Sequence, residues 1–378
     1  MKYYIIAGEA SGDLHASNLM KALKVEDSDA NFRYFGGDLM QAQGGVLVKH
    51  YKDAAFMGFL MVLKNIGTIR KNFQLCEQDL LEYQPDVLIL VDYPGFNLRM
   101  AEFAKKHNIK VYYYISPKIW AWKQSRIKKI KAFVDEMFCI LPFEVDFYKR
   151  MNYRVHYVGN PCLDAIEART CKGESIETFC KRNHLSNKPI VALVPGSRKS
   201  EIQHNLPIMA KVSEHFPEYQ FVITGAPSMD MHVYKEALGN HDIPLIFGQT
   251  YETLQQSAAA LVTSGTATLE TALLNVPQVV CFKAEAGRIG YLIVHDLLLK
   301  TPWVSLVNLT VDREVVKEIL QHYMTEESVR EELDRILSNE EYREKMLEGY
   351  VELHRRIGTP GASEKAARLI TELLSLTD

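Results

Sequence analysis

No stretch of this 378-residue sequence stays apolar for long. The longest unbroken runs, such as Phe59–Leu63, fall far short of the ~20 residues that a membrane-spanning helix needs. The chain is therefore not expected to cross a membrane, although such a run can lie on one. The N-terminal run Tyr3–Ala7 is likewise too short, and wrongly flanked, for a signal peptide. Cysteine is scarce, with six residues, no C-x-x-C pair and no His/Cys cluster at zinc-finger spacing. That is too sparse for a disulfide scaffold and points to free thiols in a reducing cytosol. A basic excess is also missing: 44 Lys and Arg against 47 Asp and Glu leave a net charge of −3, which argues against a nucleic-acid partner. There is no G-x-G-x-x-G, so the dinucleotide fingerprint of a nicotinamide enzyme is absent. One Asp-x-Asp occurs, Asp27-Ser28-Asp29, but in a polar turn rather than at a strand end. Neither a metal nor any other cofactor is expected.

What is present is a repeated alternation of short apolar runs with helix-length segments. Tyr3–Ala7, Val87–Val91, Val111–Ile115 and Met137–Leu141 have the continuous apolar or aromatic character of strands buried on both faces. Ala16–Lys24, Arg70–Glu82 and Arg99–His107 read as the helices between them. After Gly159-Asn160-Pro161 a polar segment, 162–189, reads as a hinge. The alternation then resumes with Ile190–Val194, Gln220–Thr224, Pro244–Phe247, Ala259–Val262 and Gln278–Phe282. The last ~65 residues are helical and highly charged. The expected class is α/β, with two Rossmann-like domains facing a cleft. Their expected bounds are 1–165 and 185–345, followed by a helical tail, 346–378.

Ligands in such sheets bind beyond the carboxyl ends of the strands, so the loops there carry the functional reading. Gly196, Ser197 and Arg198 lie between a strand and a helix start. They offer backbone N–H groups, a helix dipole and a forked cation suited to phosphate; a plain helix cap with a surface arginine is the competing reading. Ser264, Gly265, Thr266 and Ala267 form a second such loop, able to hold a diphosphate. Glu270, one turn into the following helix, could accept from both hydroxyls of a ribose; helix capping competes here too. In the first half, Glu9 stands in the small-residue loop Gly8–Asp13. Asp92 ends the strand Val87–Val91, where burial would raise its pKa and make it a better base. A tight turn and a helix cap are the competing readings for these two acids.

The segment containing Phe59, Leu60, Met61 and Leu63 is apolar and partly flanked by Lys64, Arg70 and Lys71. Trp120 and Trp122 stand between Lys118 and Lys123, and Arg126, Lys128, Lys129 and Lys131 follow. Tryptophan favours the headgroup region, and each cation near an anionic surface contributes roughly 1 kcal/mol. These residues are the expected membrane- or acceptor-facing set. A buried helix and a solvated basic face are the competing readings.

Taken together, the motifs resemble the lipid-A-disaccharide synthase family over nearly the whole chain. The matching pieces are Gly8–Asp13, Met57-Gly58, Asp92–Asn97, Ser116–Trp122, Leu141–Glu144, Val158–Pro161, Pro195–Arg198, Ser264–Ala267 and Asn308. The resemblance implies a GT-B fold with C-terminal helices crossing back. It implies a glycosyltransferase that moves 2,3-diacylglucosamine from its UDP derivative onto 2,3-diacylglucosamine 1-phosphate with inversion. Asp92 is then the candidate general base, Glu9 a second catalytic residue, and Asn308 joins the donor-binding set with Arg198. It further implies a cytoplasmic protein, peripheral on the anionic inner face of the inner membrane, and in some members a homodimer. Many members read Asp-x-Pro-Asp-Phe-Asn where this chain has Gly95, which leaves Asp92 as the sole acid of that motif. The competing functions are a UDP-sugar epimerase of the same fold and a non-catalytic, membrane-associated nucleotide-binding protein.

Overall fold

A computed structural model describes residues 1–53, 66–121, 123–283 and 301–376. The chain forms two compact units, Met1–Pro161 with Thr359–Asp378, and Cys162–Gly358. The expected tail is therefore divided: the helix Glu340–Ile357 belongs to the second unit and the helix Ala362–Ser375 to the first. The segment expected to be a hinge carries two short helices, Pro161–Ala168 and Ile176–Arg182.

The first unit is built on a seven-stranded sheet in the order β3-β2-β1-β4-β5-β6-β7. Its strands are β1 (Lys2–Ala7), β2 (Asn31–Gly36), β3 (Val46–His50), β4 (Val87–Val91), β5 (Lys110–Tyr114), β6 (Glu136–Cys139) and β7 (His156–Tyr157). All neighbouring pairs are parallel. Residues Val87–Val91 are each fully buried, as a central strand covered on both faces requires. The helix Ala10–Glu26 covers one face and packs against Ala362–Ser375, whose Ala366, Ala367, Ile370 and Leu374 enter the same apolar cluster as Leu19, Met20 and Leu23. The returning helix is thus core to the first unit.

The second unit repeats the plan with six parallel strands in the order β10-β9-β8-β11-β12-β13. These are β8 (Ile190–Val194), β9 (Gln220–Gly225), β10 (Leu245–Phe247), β11 (Ser257–Thr263), β12 (Gln278–Phe282) and β13 (Glu318–Leu320). In each sheet the first and fourth strands of the unit lie side by side, β1 with β4 and β8 with β11. Chain direction across the sheet reverses between them, so the loops leaving the two strands diverge and open a crevice at their carboxyl ends. Among the described residues no helix is long and apolar enough to cross a membrane.

Because Ile370 is fully buried in the first unit's core, Ile370→Ala should cost about 2–5 kcal/mol. That would appear as an earlier urea midpoint for the first unit. Leu376→Ala, at a side chain 81% exposed, should leave the midpoint in place; equal small shifts for both would contradict the packing of this helix.

Candidate active site

In the first unit Gly8, Glu9, Ser11, Gly12, Asp92 and Tyr93 line one crevice at the ends of β1 and β4. The two acids expected to act together are thus brought to one place. Gly8 is required by the packing: a Cβ on it would lie 2.3 Å from the Tyr93 ring. Asp92 and Tyr93 have φ of 44° and 45°, a left-handed conformation that non-glycine residues adopt only under local constraint. The constraint is visible. The Asp92 carbonyl accepts from Asn97 Nδ2 at 2.7 Å and from the Tyr113 hydroxyl at 2.5 Å. Pro94 then starts the next helix at a position where its missing N–H costs nothing. The Asp92 carboxyl is half-buried, and burial raises its pKa, opposed by the charge of Lys118 and a backbone N–H at Tyr93. Glu9 is half-buried at the start of the helix Ala10–Glu26; burial, and after it the charge of Glu9, raises the Tyr93 phenol. Gly95 is exposed, with no atom within 4 Å of where a Cβ would stand. Its departure from the family's second acid is therefore chemical and not steric.

Several motif residues prove to be scaffolding. Asp13 is buried and accepts from the backbone N–H groups of Gly37, Leu39 and Met40 at 2.7–3.1 Å, fixing the turn after β2. Asp27, from the Asp-x-Asp, accepts from the N-terminal ammonium and from the Tyr3 hydroxyl. Glu144 is buried, and burial pushes its carboxyl up to about 7. It accepts from Ser116 Oγ (2.5 Å), Trp120 Nε1 (3.2 Å) and Leu141 N (3.0 Å), joining two motifs that lie apart in the sequence. Trp120 therefore corrects the expectation of a membrane-facing ring. It is 7% exposed, bonded to Glu144 and edge-on to Phe143, so its indole is committed to the interior. Lys123 is exposed. Phe59, Leu60, Met61, Leu63 and Trp122 lie outside the described residues. A groove of about 540 Å³ runs beside Pro94 and Gly95, lined by Arg99, Lys106, Arg126 and Lys129 together with Glu77 and Glu102.

In the second unit the loop Pro195–Arg198 leaves β8 and meets the helix Lys199–Ser213. Here Glu201 Oε2 accepts from the backbone N–H groups of Ser197 (3.0 Å) and Arg198 (3.3 Å), and Oε1 lies 3.4 Å from the Arg198 guanidinium. The capping reading of this loop is thus realised. An incoming phosphate would find its donors in the exposed Arg198 and Ser197 side chains, with the amides already engaged. The loop after β11 is freer: Gly265, Thr266, Ser264 and Ala267 are exposed or half-buried. Gly265 has φ 154° and ψ −159°, a region essentially reserved for glycine. Glu270 is half-buried, raised in pKa by burial, and held through Oε1 by the Tyr251 hydroxyl at 2.7 Å. Among the described residues its other oxygen takes no hydrogen bond.

Asn308 corrects a second expectation. It is fully buried. Its Oδ1 accepts from Val315 N and Val316 N, and its Nδ2 donates to Val316 O and Glu318 Oε1. Every hydrogen-bonding atom of the amide is thereby engaged within the chain, so Asn308 does not offer itself to a ligand. It does act on the loop at one remove. Glu318 accepts from Val304 N and Ser305 N at 2.9 Å, and Ser264 Oγ donates to Val304 O. This relay of hydrogen bonds was missed in the sequence because Glu318 carries no motif.

If Asn308 is a staple, Asn308→Ala strands buried donors and acceptors and should cost at least about 2 kcal/mol in urea unfolding of the second unit. Unchanged stability with lost nucleotide binding would instead make it a direct ligand contact.

The comparisons with known proteins agree with this geometry. A family model described as lipid-A-disaccharide synthetase matches residues 3–370. The lipid-A-disaccharide synthase of Myxococcus xanthus (strain DK1622) is 39% identical, covering 98% of this chain and 97% of that protein. That of Syntrophus aciditrophicus (strain SB) is 36% identical, covering 99% and 98%. Among solved structures, an S. aureus MnaA–UDP co-structure aligns with a TM-score of 0.70 at 16% identity, covering 99% of this chain and 97% of that one. The glycotransferase of kitacinnamycin aligns with a TM-score of 0.65 at 12% identity, covering 99% of both. These two likenesses establish the shared GT-B fold, and the relatives establish the rest: this chain belongs to the lipid-A-disaccharide synthase family of glycosyltransferases.

Proposed function

We propose that the chain transfers 2,3-diacylglucosamine from its UDP derivative to the 6-hydroxyl of 2,3-diacylglucosamine 1-phosphate. The products are the β-1,6-linked disaccharide 1-phosphate and UDP. The observation that carries this reading is the Asp92 carboxylate at the end of β4, half-buried and raised in pKa, in a chain that matches the family over residues 3–370. In the proposed step Asp92 takes the hydroxyl proton as that oxygen attacks the anomeric carbon. The bond to the diphosphate breaks with its electron pair, the anomeric centre inverts, and UDP leaves. Glu9, in the same crevice, orients the acceptor. In the second unit Arg198 and Ser197 meet the diphosphate, Ser264, Gly265, Thr266 and Ala267 supply further donors, and Glu270 accepts from the ribose hydroxyls. Charge on the leaving group is then met by fixed donors and a guanidinium.

The lipid acceptor requires access to a membrane surface. Exposed cations along the first unit, among them Lys118, Lys123, Lys128 and Lys129, support a peripheral attachment to the anionic inner face of the inner membrane. Attraction of this kind weakens as salt rises.

The direct test supplies purified protein with both lipid substrates and follows formation of the disaccharide; the donor alone should give no epimerised sugar. Asp92→Ala should lower turnover by about 10²–10⁴-fold while retaining UDP binding, and near-parent turnover would remove Asp92 from the role of base. In calorimetry Arg198→Ala should weaken UDP binding about 10–100-fold, the range of a charged hydrogen bond, and unchanged affinity would refute its phosphate role.

A further inference from the structure

The polar segment 162–189, expected to be a hinge, is fastened to a short helix that carries no motif. That helix, Thr250–Gln255, is held at both ends. At its start Gln249 and Asn183 exchange side-chain amide hydrogen bonds at 3.1 and 3.2 Å, and the Arg182 guanidinium donates to Gln249 Oε1 at 2.5 Å. At its end Gln255 Nε2 donates to the Lys172 carbonyl at 3.0 Å, and Gln256 Nε2 to the Glu174 carbonyl at 2.7 Å. Between these ties Leu254 is fully buried in one apolar cluster with Val262 and Val276. A helix of six residues has little stability of its own, and these partners fix it in place. Tyr251 stands on this helix, and its hydroxyl donates to Glu270 Oε1 at 2.7 Å. Glu270 lies on the neighbouring helix Thr266–Leu273, which is itself held by a hydrogen bond from Gln278 Nε2 to the Thr268 carbonyl at 2.9 Å.

We propose that Tyr251 is a positioning residue through which the second unit selects ribonucleotides: its hydroxyl pins one oxygen of Glu270 and leaves the other to accept from the diol of a ribose. The inference rests on the reading of Glu270 as the ribose acceptor. A glutamate carboxylate turns broadly about its last bond, and each of its oxygens can accept about two hydrogen bonds. Tyr251 occupies one such site on Oε1, which fixes the plane of the group. Among the described residues Oε2 takes no hydrogen bond, so Oε2 and the remaining site on Oε1 are left for two vicinal hydroxyls. Tyr251 is half-buried, and burial, followed by the charge of Glu270, raises its phenol; the hydroxyl therefore keeps its proton and stays a donor. A sugar without these hydroxyls would cover the half-buried carboxylate and return no donor for the water it displaces. With the carboxylate already ordered before the nucleotide arrives, binding does not have to pay for ordering it.

The experiment is calorimetric titration of the full chain, Tyr251→Phe and Glu270→Ala with UDP and with 2′,3′-dideoxy-UDP. The quantity read is the preference, the ratio of the two dissociation constants. The parent should prefer UDP by about 10-fold or more, the range of a hydrogen bond to a charged group. Tyr251→Phe keeps the packed ring and removes only the donor. It should weaken UDP about 2–10-fold, the cost of ordering one freed side chain on binding, and leave dideoxy-UDP where it was, so the preference shrinks. A tyrosine that serves only to hold the fold would weaken both nucleotides alike. Equal weakening of the two, or an undiminished preference in Tyr251→Phe, would overturn the inference. Glu270→Ala separates the two levels. If it loses the preference while Tyr251→Phe keeps it in full, the Tyr251 role falls and the ribose reading of Glu270 stands. If the parent binds both nucleotides alike, or Glu270→Ala retains the parent preference, both fall. Should Glu270→Ala not fold, Glu270→Gln, which can accept at one oxygen only, serves the same arm.

Discussion

The left-handed turn at Asp92 and Tyr93 is the constraint on which the first unit's site depends. Two consecutive non-glycine residues at positive φ are costly, of order 1–3 kcal/mol each. They persist because Asn97, Tyr113 and the missing side chain of Gly8 leave the turn no easier geometry. An extended continuation of β4 would carry the Asp92 carboxyl off the strand end. The turn instead brings it into the crevice with Glu9, at the one place in a parallel sheet of this order where neighbouring loops part.

A different device recurs behind several other loops. A carboxylate gathers backbone N–H groups or side-chain donors and fixes a bend that would otherwise be loose: Asp13 under the turn after β2, Glu144 under the Lys118 turn, Glu201 under Pro195–Arg198, and Glu318 behind the Ser264 loop. A buried or half-buried anion is tolerable only when several donors meet it, and each of these accepts at least two. The loops that carry exposed chemistry are therefore short and rigidly footed, the arrangement that positional catalysis needs.

Much of this was legible in the sequence, for a physical reason. Val87–Val91, Ile190–Val194 and Gln278–Phe282 coincide with β4, β8 and β12 because strands buried on both faces leave unbroken apolar runs. β2, with its alternation and an exposed start, β3, with no buried residue, and β7 and β13, of two and three residues, leave no such run and went unread. The strand-end position of Asp92 followed directly from β4. Trp120 was read as membrane-facing and Asn308 as donor-binding because their fates depend on partners far along the chain or without a motif. Glu144 lies 24 residues beyond Trp120, and Glu318 belongs to a strand too short to recognise. The lysines around Trp120 suggested a surface, and only Glu144 reveals that the indole turns inward.

The central claim is that Asp92 is a desolvated carboxyl whose proton affinity is raised for use as a base. It is tested most directly by NMR titration of the protein labelled with ¹³C at aspartate carboxyls, with Asp92→Asn to assign the signal. The account predicts that the resonance lost in Asp92→Asn titrates above the ordinary aspartate range. A resonance titrating within or below that range would contradict it.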